Sequence, residues 1–316
     1  MDSIAAAIDY LLEDPDIQQW NTLVDLVQHI KNHPTSHWKI PEEACLSVGG
    51  ERPSALAAVA AIIALHTSII MVDDLLDGDK RFENMGLASA DVSNLALSLQ
   101  AAGINAISRS KTNSEIKHLI IMQLNHMMIS TSSGQHADTH TIIENETDYW
   151  LITRKKSSPF FACAFYCGAL IGGAAPETSA GLLEIGSIFG EMIQIHDDLK
   201  DTLSAPASPD WQKNHISLPI LFAVNVKHPE QNRFLDLRTR VFQETSALKE
   251  AQGILIHCGA VSYCAHQLLK RYNLAHERIE KLKLPNPEPI NRLLDQVIEP
   301  VLHIFKLVGI STLDVK

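Results

Sequence analysis

The segment SALAAVAAIIALHTSIIMV, residues 54–72, constrains this chain more than any other stretch. Ala, Leu and Ile dominate it and neither Gly nor Pro interrupts it, so it predicts a helix of about five turns. Because it is apolar nearly all round, the helix is expected to be central and buried. Only its C-terminal end turns acidic, in MVDDLLDGD (71–79). Further apolar helical stretches cover 92–107, 115–130, 147–172, 178–199, 215–226, 247–274 and 287–308. SVGGERP (47–53), GGAAPE (172–177) and SAPASPD (204–210) supply turn signals between helices. With no sustained strand alternation and no Gly-rich phosphate loop, the expected fold class is all-α, a large helical bundle forming a single domain over residues 1–316.

Asp73, Asp74 and Asp77 crowd three carboxylates onto neighbouring positions of one helix end. Like charges at that spacing destabilise a helix, and the negative end of the helix dipole disfavours them further. IQIHDDLKD (193–201) repeats the i, i+1, i+4 arrangement with Asp197, Asp198 and Asp201 at the end of a second apolar helix. One such cluster reads equally well as a solvated helix end. Two matching clusters favour cation binding. All-oxygen ligands suit hard cations, and magnesium in particular takes one or two carboxylates together with waters and substrate phosphates.

Other features narrow the function. With 37 acidic against 26 basic residues and a net charge of −11, the chain is not expected to bind nucleic acid. Cys45, Cys163, Cys167, Cys258 and Cys264 form no CxxC pair, and Cys163 and Cys167, four apart in an apolar helical stretch, read as small core residues rather than a zinc site. The acidic N-terminus lacks the basic start of a secretory signal, and no uninterrupted apolar run reaches about 18 residues. A cytoplasmic protein without a membrane span is therefore expected. His66 on its apolar helix reads as a hydrogen-bonded core residue, and Met122, Met127 and Met128 as core packing. His196 is expected to point away from Asp197.

DDLLD and DDLKD resemble the first and second aspartate-rich motifs of the trans-isoprenyl diphosphate synthases, and the likeness covers most of the chain. GQHAD (134–138) is similar to the family's Gly-Gln-x-x-Asp segment. YWLITRKKS (149–157) resembles its Tyr helix ending in Lys-Thr, with Lys156 and Ser157 at those positions. FGEMIQIHDDLKD (189–201) and DWQKNHISLP (210–219) extend the match. The resemblance implies the isoprenoid synthase fold, a bundle around a central cavity. It further implies a magnesium-dependent homodimer that condenses an allylic prenyl diphosphate with isopentenyl diphosphate. All six aspartates would bind metal, and Asp73, Asp74, Asp77, Asp197 and Lys156 would be catalytic. Gln135, Lys156, Ser157, Gln194 and Arg81 would contact substrate.

The pattern is broken in places. The family's Gly-Gly-Lys-x-x-Arg-Pro segment, which grips isopentenyl diphosphate, has two candidates here. TSHWKIP (35–41) places His37 for the lysine and Ile40 for the arginine, and GGERP (49–53) better suits an inter-helix turn. Lys39 and Arg52 are the alternative sources of charge. His215 stands where the family carries a diphosphate-binding lysine, and Lys80 and Arg81 replace a pair of arginines. Ser68 and Ile69, five and four places before Asp73, would face the tail cavity. Ser68 is small enough to allow a product beyond fifteen carbons, with twenty the first expectation, unless aromatics such as Phe160, Phe161 or Phe165 plug that level. Two other readings stay open: a terpene-synthase-like enzyme ionising one prenyl diphosphate, and a non-catalytic subunit of a prenyl synthase.

Overall fold

The structure is a computed structural model in which residues 3–211 and 216–307 are described. Among the described residues every regular element is a helix and no strand occurs. The chain forms two compact units, residues 1–129, 160–186 and 279–290 in one and residues 130–159, 187–278 and 291–316 in the other.

The predicted central helix of the first unit runs Leu56–Asp77. By length and composition the segment Arg52–Asp77 could cross a membrane, but 72% of its apolar window is buried inside the protein. That corrects the expectation that no run would be long and apolar enough, and marks the segment as a core helix. Its Ala-rich face lets neighbours approach closely. The Ser89–Arg109 helix comes against it at Gly103, where an added Cβ would lie 3.0 Å from Leu65 Cγ. The Ser3–Leu12 helix covers another flank. The helix stops at Gly78, which adopts a left-handed φ of 71°, and the backbone N–H groups of Gly78 and Asp79 satisfy the Asp74 carbonyl.

Near the middle of that helix, His66 is a hydrogen-bonded core residue, as expected. Trp38 Nε1 donates to His66 Nδ1 at 3.0 Å, and Phe160 stacks on the imidazole with centroids 4.5 Å apart. Burial, reinforced by neighbouring His37, lowers the His66 pKa to about 3.

The second unit is built from Glu146–Lys156, the C-terminal part of Pro176–Leu203, Leu218–Asn225, Gln231–Arg238, Thr245–His257 and most of Ala260–Leu282. Two predicted stretches are each split into two helices. Residues 147–172 break at Ser157, because Pro159 lacks the N–H that would continue the ladder. Residues 247–274 break at Gly259, whose φ of 88° ends the Thr245–His257 helix. Of the methionines, Met127 is buried, but Met122 is exposed, so the core reading fails there. The cysteines are free, and the buried Cys163 and Cys167 sulfurs lie 3.7 Å apart.

His66 makes stability depend on pH. Its folded pKa lies below its unfolded value near 6.5, so the unfolded chain takes up the proton first and stability is lost as pH falls through that range. Replacing His66 with Gln removes this linkage. The variant's stability deficit against the parent protein, measured by urea unfolding, should therefore narrow from about pH 7 to about pH 4. A constant deficit would show that His66 ionisation is not coupled to folding.

Candidate active site

In the first unit, the last turn of Leu56–Asp77 sorts its three aspartates by direction. Asp77 is exposed and Asp73 half-buried, whereas Asp74 is turned inward and only 7% exposed. After the Gly78 turn the chain doubles back so that Arg81 Nε lies 3.3 Å from Asp74 Oδ2. A hydrogen bond from the Arg81 amide to Asp79 Oδ1, 2.8 Å, holds that turn. Burial raises Asp74 to about 6; Arg81 opposes the shift, and the negative charges of Asp79, Asp73 and Asp77 add to it. Arg81, expected to bind substrate, thus also neutralises the inward aspartate. Ser68 is fully buried and Ile69 half-buried, on the same helix before the cluster.

The two candidate segments for the second diphosphate also lie in this unit. Ser36–Lys39 forms a short 3₁₀ turn that presses Trp38 onto His66 and sets His37 edge-on to Phe161, with ring centroids 5.2 Å apart. Lys39 is half-buried at the end of that turn, and Ile40 is fully buried as the next helix begins. Arg52 of the GGERP segment is salt-bridged to the buried Glu42. Both segments thus lie beside the central helix, TSHWKIP bringing Trp38 and His37 there and GGERP leading directly into it. His215 lies outside the described residues.

The second unit repeats the division between inward and outward carboxylates. Asp198 is 3% exposed and accepts three hydrogen bonds. These come from Tyr149 Oη at 2.7 Å, Gln194 Nε2 at 2.8 Å and the Leu218 amide at 2.7 Å. Burial raises it to about 6 even though all three donors favour the carboxylate. Asp197 is exposed and Asp201 half-buried, with burial and then Asp197 raising the Asp201 pKa. Asp198 is held by three protein donors and Asp74 faces Arg81, so the middle aspartate is the most buried member of each cluster. His196 does not point away: its Nδ1 lies 3.3 Å from Asp197 Oδ1.

Gln194, one turn before Asp198, is fixed at both ends, since Ser157 Oγ donates to its Oε1 at 2.6 Å. Lys156 Nζ donates to Asp138 Oδ2 at 2.7 Å. Gly134 lets the Ser114–His140 helix touch the backbone at that point, where an added Cβ would lie 2.4 Å from Lys155 C and Lys156 N. Beneath them Glu191 bridges two arginines, Arg154 Nε and Arg271 Nε both donating at 2.7 Å, and the Arg271 guanidinium sits 3.6 Å from the Trp150 ring centroid. Sequence reasoning missed Glu191 and Arg271, and it did not pair Tyr149 with Asp198. Glu191, Gln194 and Asp198 do share one helical face at i, i+3 and i+7, a spacing visible in the sequence. Residues 49 and 80 apart in the chain give no such signal.

Among the described residues no three His, Cys, Asp or Glu side chains converge as a ready-made metal cage. The two more accessible carboxylates of each cluster nevertheless fit magnesium, which is bound through one or two carboxylates and otherwise keeps waters or phosphate oxygens.

A family model described as Polyprenyl synthetase matches residues 42–255. The short chain isoprenyl diphosphate synthase of Methanothermobacter thermautotrophicus is 25% identical over 82% of this chain and 85% of its own length. The geranylgeranyl diphosphate synthase of Methanosarcina mazei is 24% identical over 76% of this chain and 77% of its own length. In fold, the chain is similar to the crystal structure of geranylgeranyl pyrophosphate synthetase from Pyrococcus horikoshii Ot3. The TM-score is 0.80 at 19% identity, covering 94% of this chain and 95% of that one. With well over half its length matched, the chain belongs to the polyprenyl synthetase family of trans-isoprenyl diphosphate synthases.

Proposed function

We propose that this prenyltransferase condenses an allylic prenyl diphosphate with isopentenyl diphosphate in a magnesium-dependent reaction. The observation that carries the reading is the paired build of the clusters: in each a buried middle aspartate, Asp74 or Asp198, is flanked by two more accessible ones, Asp73 with Asp77 and Asp197 with Asp201. Magnesium bound there would neutralise charge on the diphosphate oxygens. Lys156, braced by Asp138, would add positive charge where the leaving group gathers negative charge. The allylic C1–O bond breaks and diphosphate departs with the electron pair. The double bond of isopentenyl diphosphate attacks C1, and loss of a proton forms the new trans double bond. Apolar helices such as Leu56–Asp77 would enclose the tail and keep water from the cation. Ser68, small and buried among them, supports a twenty-carbon product. The resemblance adds a cytoplasmic homodimer to this reading.

A second reading is favoured by one observation. In the candidate second-diphosphate segment, His37 and Trp38 meet a neutral His66, Ile40 is buried and Arg52 is tied to Glu42. That arrangement suits ionisation of a single prenyl diphosphate without a second anionic substrate. Incubation with magnesium and allylic diphosphates of increasing length, with and without isopentenyl diphosphate, separates the two. Condensation predicts longer prenyl diphosphates, reaching twenty carbons, only when both substrates are present. Hydrocarbon or alcohol from the allylic substrate alone would overturn it in favour of the second reading.

The aspartates should divide by role. Asp73→Asn and Asp197→Asn should each cut turnover by at least about a hundredfold while leaving circular dichroism and the melting temperature unchanged. Asp198→Asn should instead cost about 1–3 kcal/mol of stability, because the amide cannot accept all three hydrogen bonds. A melting temperature unaffected by Asp198→Asn would contradict the inward role.

A further inference from the structure

One face of the Ser114–His140 helix carries Thr131, Gln135 and Asp138 at i, i+4 and i+7, all buried. Asp138 holds the Lys156 ammonium at 2.7 Å, and Gly134, within the same stripe, seats the helix directly on the Lys155–Lys156 backbone. The stripe is thus flush with the segment that presents Lys156 and Ser157. Its C-terminal member is satisfied, but its first two are not. Thr131 Oγ1 and Gln135 Nε2 are buried and make no hydrogen bond. Thr131 is 6% exposed and Gln135 8%, so neither is served by bulk solvent. A buried donor left without an acceptor is costly, and native proteins rarely keep one without a use for it. Here two unspent donors stand one turn apart on the helix whose Gly134 abuts the Lys155–Lys156 backbone. What they lack is an oxygen acceptor, and what the lysine favours is an anion.

We propose that Thr131 is a further substrate-contacting residue, donating its hydroxyl, together with the Gln135 amide, to oxygens of the diphosphate bound at Lys156. The inference rests on the reading of this unit as a diphosphate site and adds a residue to it. It also explains an oddity of composition. A threonine in the interior of a buried helical face normally returns its hydroxyl to a carbonyl one turn back, as Thr67 does to Ile63 at 2.9 Å, whereas Thr131 does not.

Thr131→Val and Thr131→Ser test this. Valine keeps the shape and removes the hydroxyl, whereas serine keeps the hydroxyl. Binding of inorganic diphosphate in the presence of magnesium is measured by calorimetry, alongside the melting temperature of the ligand-free protein. The proposal predicts that Thr131→Val binds diphosphate about tenfold more weakly and melts no lower than the parent. It also predicts that Thr131→Ser binds like the parent. Loss of an unsatisfied donor cannot destabilise the free protein, and a purely structural hydroxyl would show the reverse pattern. Unchanged diphosphate binding in Thr131→Val, or weakening that merely follows a lowered melting temperature, overturns the inference and leaves the diphosphate site standing. A parent protein that binds no diphosphate with magnesium overturns both.

Discussion

The carboxylate of Asp198 is the interaction on which the second unit's site depends. It is buried, and burial raises its pKa to about 6 even against three donors from three segments of chain that favour the carboxylate. Tyr149 comes from the helix that ends at Lys156, Gln194 from the helix of the second aspartate cluster, and the Leu218 amide from the start of the next helix. One acceptor thereby fixes the relative placement of the lysine, the outward aspartates and the chain leaving the loop. Ser157 tightens the arrangement by holding the other end of Gln194.

The first unit solves the same physical problem differently. Asp74 lies at a helix end, where the dipole disfavours it, and a doubled-back turn after Gly78 brings Arg81 to its side. In both clusters the middle aspartate of the motif belongs to the protein's own interior, and the flanking ones are more accessible. In each cluster the charge of the middle aspartate is answered by the protein itself, through three donors at Asp198 and through Arg81 at Asp74.

Much of this was legible in the sequence. The uninterrupted Ala-, Leu- and Ile-rich run before Asp73 dictated a buried central helix, and the structure has it at Leu56–Asp77. The breaks at Ser157 and Gly259 were underestimated because local apolar periodicity continues through both. Pro159 and the left-handed Gly259 decide those boundaries. Nor does a sequence say which aspartate of a cluster turns inward, since that depends on partners such as Tyr149 and Leu218 brought from distant segments. The same limit hid Arg271 and Glu191. The departure of TSHWKIP from the family's segment was visible as missing lysine and arginine, but the packing of Trp38 on His66 and of His37 on Phe161 was not.

Each cluster divides into one buried carboxylate and two more accessible ones. A crystal structure with magnesium and a non-hydrolysable allylic thiolodiphosphate tests this division most directly. Asp73, Asp77, Asp197 and Asp201 should lie about 2.0–2.1 Å from metal, or contact it through one water, while Asp198 stays on Tyr149, Gln194 and the Leu218 amide. Asp198 swung out of that pocket to coordinate magnesium would contradict the account.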